Sequence, residues 1–311
     1  MTAMRSIPLS ALELSAALRA GRSYDASRLD RVLRVDERAG LIEVQAAACW
    51  KDVAARLRPG DPRVGKLGKG MPTVGESLSC NAAGPDGRPA VAHVESLALV
   101  TPNGDLLRVS RNRQGELFRL VAGGHGLLGA IYSVTLHTAS LTLALDEAAD
   151  SEVVASPGAG TPWRALKLLV PPDRLETFLG DARALCEEWR VPLVGVRVRR
   201  TREENDTFLR WARREYAAVT LSLAEAPVLG VAVRSTQLRR ALLDAAIGRG
   251  GSFPVYCTPD ATRAQAEACY PQLPEFLAEK RRIDPGERIV NPWYRHYRRL
   301  FSAQKCALRW N

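Results

Sequence analysis

Apolar residues in the first half of the chain change between helix-like spacing and short extended runs. Leucines at helix-like spacing in residues 8–20 predict a helix that ends near Gly21. Extended runs on both sides of residues 37–40, and again around Pro102-Asn103-Gly104-Asp105, predict two hairpins. The predicted elements of this half are helices at 8–20, 50–57 and 115–121, and strands at 31–36, 41–47, both sides of the turn in 93–109, and 130–137.

The second half alternates strands and helices after a change of composition. Residues 148–163 are rich in Gly, Pro, Ser and Ala, which predicts a domain boundary. The elements predicted after it are strands at 165–170, 193–199, 219–223, 227–233 and 252–257, and helices at 172–189 and 236–246. This order predicts an α+β sheet with helices on one face. Near the C-terminus a helix is predicted to end before Pro285, with Lys280 as an exposed residue of its last turn.

Composition favours an ordinary globular protein. The chain has 311 residues, 46% of them apolar and 25% charged, and no apolar run approaches the ~18 residues of a membrane span. The first ten residues lack the apolar core of a secretory signal. Six cysteines occur without a Cys-x-x-Cys pair, which argues against a zinc site and against a disulfide framework. We therefore expect reduced cysteines, no metal and a cytoplasmic protein.

The formal net charge of +10 comes mainly from arginine. Such charge attracts nucleic acid, anionic lipid or a phosphorylated substrate. No nucleic-acid motif accompanies it and aromatic residues make up only 6% of the chain. An arginine-rich surface is the simpler interpretation, and no nucleic-acid partner is expected.

Two glycine-rich segments, residues 73–84 and 123–131, lie on either side of the second hairpin. Glycine lets a ligand approach the main chain closely, and successive backbone N–H groups form an anion-binding concavity. Either segment alone is more simply read as a connection between strands, whereas both in this order favour a nucleotide site. A Rossmann unit is rejected because no acidic residue follows about twenty positions later in a second strand.

This order of motifs resembles the flavin-binding half of the vanillyl-alcohol oxidase / p-cresol methylhydroxylase (PCMH) superfamily of FAD oxidoreductases. The resemblance is strongest to the sugar-lactone, alditol and decaprenylphosphoryl-ribose oxidase branch. It rests on Thr-Val-Gly at 73–75, Asn-x-x-Gly at 81–84, Asn-Gly at 103–104, Glu-Leu-Phe at 116–118 and the glycines of 123–129. Near the C-terminus it rests on Ala-Thr at 261–262, Tyr-Pro at 270–271 and Lys-Arg-Arg-x-Asp-Pro at 280–285.

The resemblance implies an α+β fold with a shortened PCMH-type FAD-binding domain at residues 1–147. It further implies a small α+β cap or substrate domain at 148–258 and a segment at 259–311 that returns to the FAD domain. The residues that it places against FAD are Arg22, Ser23, Tyr24, Thr73, Val74, Gly75, Ser77, Asn81, Gly84, Gly123, Gly124, Gly126, Gly129, Ile131 and Asn291.

Three departures from the family pattern affect the cofactor. The phosphate-loop match at residues 21–25 stands directly after a predicted helix rather than between strands. Glu76 replaces the second glycine of a pair and would repel a phosphate if it faced one, while Ala83 replaces a histidine. No histidine precedes His93, so FAD is expected to be bound non-covalently.

The catalytic group is not evident from the sequence. The resemblance implies hydride transfer from an alcohol or sugar-like polyol to the flavin. His125, Cys257 and Lys280 are weak candidates, and Cys257 is more simply a core cysteine at the position of a family lysine. An FAD-dependent oxidoreductase is therefore one hypothesis. A catalytically silent relative that has lost FAD and acts as a partner subunit or small-ligand binder is the other, and a protein partner stays open.

Overall fold

The computed structural model describes residues 6–65, 72–84, 86–147, 153–155, 163–224, 229–258 and 260–302. The described helices are α1 (Ala11–Arg19), α2 (Trp50–Leu57), α3 (Pro62–Gly65), α4 (Val74–Cys80), α5 (Gly115–Val121), α6 (Thr138–Glu147), α7 (Leu175–Glu188), α8 (Leu229–Ile247), α9 (Arg263–Cys269), α10 (Leu273–Ile283) and α11 (Pro292–Ser302). The strands are β1 (Val32–Asp36), β2 (Leu41–Gln45), β3 (Val94–Val100), β4 (Leu106–Ser110), β5 (Ala130–His137), β6 (Val153–Ala155), β7 (Trp163–Val170), β8 (Leu193–Thr201) and β9 (Tyr216–Ala224). This mixture of helix and sheet fits the predicted α+β class.

Contacts divide the chain into two compact units. The first comprises Met1–Ala149, Asn205–Leu209 and Glu275–Tyr294, and the second comprises Asp150–Glu204, Arg210–Pro274 and Arg295–Asn311. Nothing in the sequence pattern singled out residues 205–209 as part of the first unit. The predicted functional domains at 1–147, 148–258 and 259–311 stay a prediction, because contacts define units and not their roles.

The first unit is built on an antiparallel five-stranded sheet in the order β1-β2-β5-β3-β4. Val44, Leu97 and Val134 lie fully buried on its inner strands. The β3–β4 hairpin confirms the predicted turn, where Gly104 has a φ of +83° and donates to the Thr101 carbonyl.

Helix α1 begins and ends through local hydrogen bonds. The Ser10 side chain accepts from the Glu13 N–H at its N-terminus, and Leu14 and Leu18 are buried. At its C-terminus, Gly21 donates to the Leu18 carbonyl and Arg22 donates to the Ala17 carbonyl. This pair of bonds, with Gly21 at a φ of +61°, is a Schellman ending and confirms the predicted stop at Gly21.

The second unit contains a four-stranded antiparallel sheet in the order β6-β8-β9-β7. Helices α7 and α8 contact each other, and α8 contacts β7. Phe178 of α7 and Leu242 of α8 are fully buried. Among the described residues, no helix combines the length and the apolarity that a membrane crossing requires.

Two predicted strands of the second unit are wrong. Described residues of the segment predicted at 227–233 begin α8, because a short apolar run suits a buried helix as well as a strand. The segment predicted at 252–257 has a single bridge, Leu169 to Ser252, followed by a 3-10 turn at Val255–Cys257. Pro254 has no N–H to donate to a ladder, which accounts for the break.

Candidate functional site

The two glycine-rich segments of the sequence lie against each other in the first unit. Gly123 donates to the Leu78 carbonyl at 2.8 Å, and His125 donates to the Ser79 carbonyl at 2.8 Å. The first segment is mostly the helix α4, which contains Gly75. It is therefore not the simple connection between strands that its glycines suggested. The second segment is a true loop in which Gly123, His125 and Gly126 all have positive φ.

Glu76 is explained by the start of α4. Thr73 caps the helix by accepting from the Glu76 N–H, and the Glu76 carboxylate accepts from the Thr73 N–H at 2.8 Å. This reciprocal pair is a capping box, in which glutamate is a preferred residue. The capping box accounts for Glu76 without a phosphate, and the side chain is otherwise exposed.

Changing Glu76 tests this role. Glu76→Ala is expected to lower the free energy of unfolding by about 1 kcal/mol, the usual scale of a lost helix cap. It is expected to leave flavin affinity within about twofold, because the carboxylate is engaged with Thr73. Glu76→Gln is the matched control, since glutamine also completes a capping box. Urea unfolding and flavin titration check both points, and tighter flavin binding by both variants would restore the phosphate-facing interpretation.

Most glycines of the predicted site are required by packing of the protein itself. A Cβ on Gly75 would lie 2.8 Å from the Ala46 Cβ, and one on Gly129 would lie 2.6 Å from the Val100 carbonyl oxygen. A Cβ on Gly124 would lie 2.1 Å from the Leu120 carbonyl oxygen. These three residues do not need a ligand to account for them.

Gly126 differs from its neighbours because the space beside it is open. It has a φ of +66°, and a Cβ built on it would meet no described atom within 4 Å. A ligand can therefore approach its main chain to van der Waals distance. Glycine suits cofactor loops because it allows this close approach.

His125 stands directly before Gly126 and has a polar atom without a partner. Its ring stacks on Trp293, with 4.1 Å between ring centroids and 20° between the planes. Its Nε2 is buried and has no hydrogen-bond partner among the residues that the structure describes. Burial lowers the pKa of His125 to about 3, so the imidazole is neutral near neutral pH and is a poor general base.

Asn291 holds the same loop from the C-terminal part of the first unit. Its side-chain Nδ2 donates to the His125 carbonyl at 2.9 Å, and its Oδ1 accepts from the Tyr294 N–H at 2.8 Å. The sequence named Asn291 as a cofactor contact, and the structure gives it a role in fixing the loop. Trp293, two residues after Asn291, was not predicted as a site residue.

The end of the first glycine segment is filled by the protein's own polar groups. Asn81 has a left-handed backbone and accepts from the Val91 N–H at 3.1 Å through its side chain. A Cβ on Gly84 would lie 2.9 Å from Asp86 Oδ1. Asp86 in turn lies 3.6 Å from the buried His93 ring. Gly84 and Asn81 are thus accounted for locally.

Other predicted cofactor residues also make contacts within the first unit. Ser77 accepts from the Trp50 indole N–H at 2.8 Å. Val74 and Ile131 are buried apolar residues. The roles of these side chains toward FAD stay predictions.

The match to a phosphate loop at residues 21–25 lies at the C-terminal end of α1. The N–H groups of Gly21 and Arg22 are used in the helix ending, where the helix dipole disfavours an anion. Tyr24 packs against an apolar cluster that includes Leu14 and Val100, and burial raises the pKa of its phenol. This turn does not fit a diphosphate, whereas the open main chain at Gly126 fits the close approach of a flavin.

Lys280 is not the exposed helix-end residue that was expected. It is fully buried in α10 and forms an ion pair with Asp284. Burial favours the neutral lysine and lowers its pKa, although Asp284 attracts the charged form. The backbone of Cys257 belongs to the 3-10 turn, and its side chain lies outside what the structure describes.

Residues 11–110 match a family model described as an FAD binding domain. The match covers roughly a third of the chain and includes the first glycine segment and the β3–β4 hairpin. It supports FAD binding and the superfamily recognised from the motifs, and the function that this family suggests is an FAD-dependent oxidoreductase. No curated protein matches the chain significantly.

Proposed function

We propose that the chain binds FAD non-covalently at the loop of residues 123–129 and oxidises an alcohol or a sugar-like polyol. The observation that carries the proposal is the open space beside Gly126, which distinguishes this residue from the packed glycines around it. The family match supports the choice of FAD over other nucleotides. Non-covalent attachment is supported by the absence of any histidine before His93 in the sequence.

The chain's own residues supply position more than proton transfer. Asn291 and Ser79 fix the loop's main chain through His125, so the approach to Gly126 is held in one conformation. Bound FAD would supply the hydride acceptor. The Nε2 of neutral His125 can donate or accept one hydrogen bond, depending on the tautomer. It does not accept a proton effectively at neutral pH.

The second unit is the proposed substrate domain, in the role of the small α+β cap of the sugar-lactone, alditol and decaprenylphosphoryl-ribose oxidase branch. Its secondary structure, a four-stranded sheet with helices α7 and α8, is that expected of a small α+β domain. Cys49, Cys186 and Cys269 are free thiols, which suits a reducing compartment such as the cytoplasm.

A catalytically silent relative is the second candidate, and one observation favours it. The two N–H groups that the turn at residues 21–25 could offer to a diphosphate already complete the ending of α1. A chain that holds flavin weakly for this reason would act as a partner subunit or a small-ligand binder.

Anaerobic flavin reduction separates the two candidates. We expect a neutral polyol to bleach the visible flavin band slowly, because the candidate base His125 is a poor general base. A positioned general base normally contributes about 10²–10⁴-fold to the rate. A chain that loses its flavin during purification, and that oxidises neither neutral nor anionic polyols when FAD is added, would favour the silent relative. Rapid reduction of the flavin in the isolated protein by a plain sugar alcohol would contradict the inference that the site has no effective general base.

A further inference from the structure

One face of the second unit's sheet carries three cations around small side chains. Arg197 of β8 pairs with Thr220 of β9, which pairs with Lys167 of β7. Directly paired residues project to the same side of a sheet, so these three form one row across three strands. Arg199 lies two residues from Arg197 and shares its face. We call Lys167, Arg197 and Arg199 the basic face.

The neighbouring positions of this face carry mostly small side chains. The next row consists of Gly195, Ser222 and Ala165, and Arg199 is paired with Ala218. These side chains are short, and Thr220 and Ser222 each carry a hydroxyl that can donate or accept a hydrogen bond. Polar, hydrogen-bonding floors with cationic rims suit ligands that carry both hydroxyl groups and negative charge.

Among the described residues, no carboxylate neutralises the charge of the basic face. None of its three members has an ion pair within the part of the chain that the structure describes. Burial, and to a lesser extent repulsion by the nearby Arg197 guanidinium, lower the pKa of Arg199. Lys167 places its ammonium 5.6 Å from the centre of the Tyr256 ring, and a cation–π contact does not remove its charge.

Arg200 shows that this arrangement is specific to one face. It follows Arg199 on the same strand, so its side chain projects to the opposite side of the sheet. There it forms an ion pair with Glu215. Arg200, which is ion-paired, therefore lies on one side of the strand, and the two arginines without an ion pair among the described residues lie on the other.

We propose that the basic face binds the anionic group of a small hydroxylated ligand, either a carboxylate or a phosphate. The inference rests on the proposed function for one step, in which such an acidic polyol becomes the substrate class of the enzyme. Three positive charges around one row favour a dianionic phosphate over a singly charged carboxylate. A neutral polyol lacks the group that this face recognises.

Equilibrium binding of three matched probes to the full chain tests the proposal without using flavin. Sorbitol, gluconate and sorbitol 6-phosphate carry no charge, a carboxylate and a phosphate, and ligand-observed NMR titration gives their affinities. We expect affinity to rise in that order and the affinities of both anions to fall as sodium chloride is added, because salt screens exposed charge. Tighter binding of gluconate than of sorbitol 6-phosphate would identify a sugar acid as the ligand and would still support an anion site.

Single neutral substitutions locate the binding. Arg197→Gln and Lys167→Gln are each expected to weaken binding of sorbitol 6-phosphate about tenfold, the scale of one charge-assisted hydrogen bond. Arg200→Gln is the matched control, with the same loss of charge on the other face, and is expected to stay within about twofold. Equal loss in all three variants, or equal binding of sorbitol and sorbitol 6-phosphate, would overturn the proposal.

The outcome is distinguishable from that of the proposed function. Anion binding that follows this pattern in a chain that does not retain flavin would contradict the oxidoreductase and keep the site. Flavin retention and polyol oxidation without charge-dependent binding would support the oxidoreductase and contradict the anion site.

Discussion

Valine in place of Gly126 is expected to remove flavin from the protein during purification. The open space beside Gly126 is where we place the cofactor, and a branched side chain there would fill it. Overpacking a close contact costs about 1–3 kcal/mol, which corresponds to roughly 5- to 150-fold weaker binding. Flavin titration by fluorescence measures the change in affinity.

The backbone strain of this substitution needs its own control. Gly60 also has a positive φ, at +79°, and also has open space where a Cβ would lie. Gly60→Val therefore imposes comparable strain on the first unit away from residues 123–129, and it is expected to retain flavin. Gly126→Val with unchanged flavin occupancy, or equal loss from both variants, would remove the assignment of Gly126.

A third glycine tests the sequence-derived phosphate loop. Gly21 has a φ of +61° and open space beside it as well. Because its N–H completes the ending of α1, we expect Gly21→Val to reduce stability without a specific effect on flavin affinity. Loss of flavin from a folded Gly21→Val variant would place the diphosphate at this turn.

Alanine in place of Asp284 is expected to destabilise the protein more than any other single change considered. Asp284 is buried with Lys280, and its carboxylate also accepts from the N–H groups of Arg288 and Ile289. Its pKa lies below the ordinary value because, although burial opposes ionisation, these hydrogen bonds favour the carboxylate. Removal leaves Lys280 buried without its partner, at a cost of about 3–5 kcal/mol in the free energy of unfolding.

An exposed ion pair on the same helix is the control. Glu279 pairs with Arg282 at 2.7 Å, and the Arg282 side chain is 69% exposed. Glu279→Gln is expected to change the free energy of unfolding by less than about 1 kcal/mol, as exposed pairs do. Urea unfolding of both variants checks the contrast, and similar small losses would mean that Lys280 reaches solvent when Asp284 is absent.

Local patterns allowed much of the first unit to be predicted. The helix before Gly21, the two hairpins and the helix at residues 115–121 follow from spacing and turn residues that act over a few positions. The predicted strand at 227–233 failed because apolar residues alone do not distinguish a buried helix from a buried strand.

The site was harder to predict because one residue type serves several purposes. Gly75, Gly124 and Gly129 match a cofactor motif, yet each is required by a backbone or side-chain neighbour. Only the structure separates them from Gly126. Lys280 resembled an exposed residue because its charge suits the end of a helix, whereas its burial depends on packing that the sequence pattern does not encode.

The visible absorption spectrum of the purified full chain, before and after incubation with FAD and removal of the excess, tests the central claim most directly. We predict a flavin band that stays with the protein and is released into the supernatant on denaturation, since the attachment is non-covalent. A protein that is colourless after both treatments, while its unfolding transition shows that it is folded, would contradict FAD binding at residues 123–129.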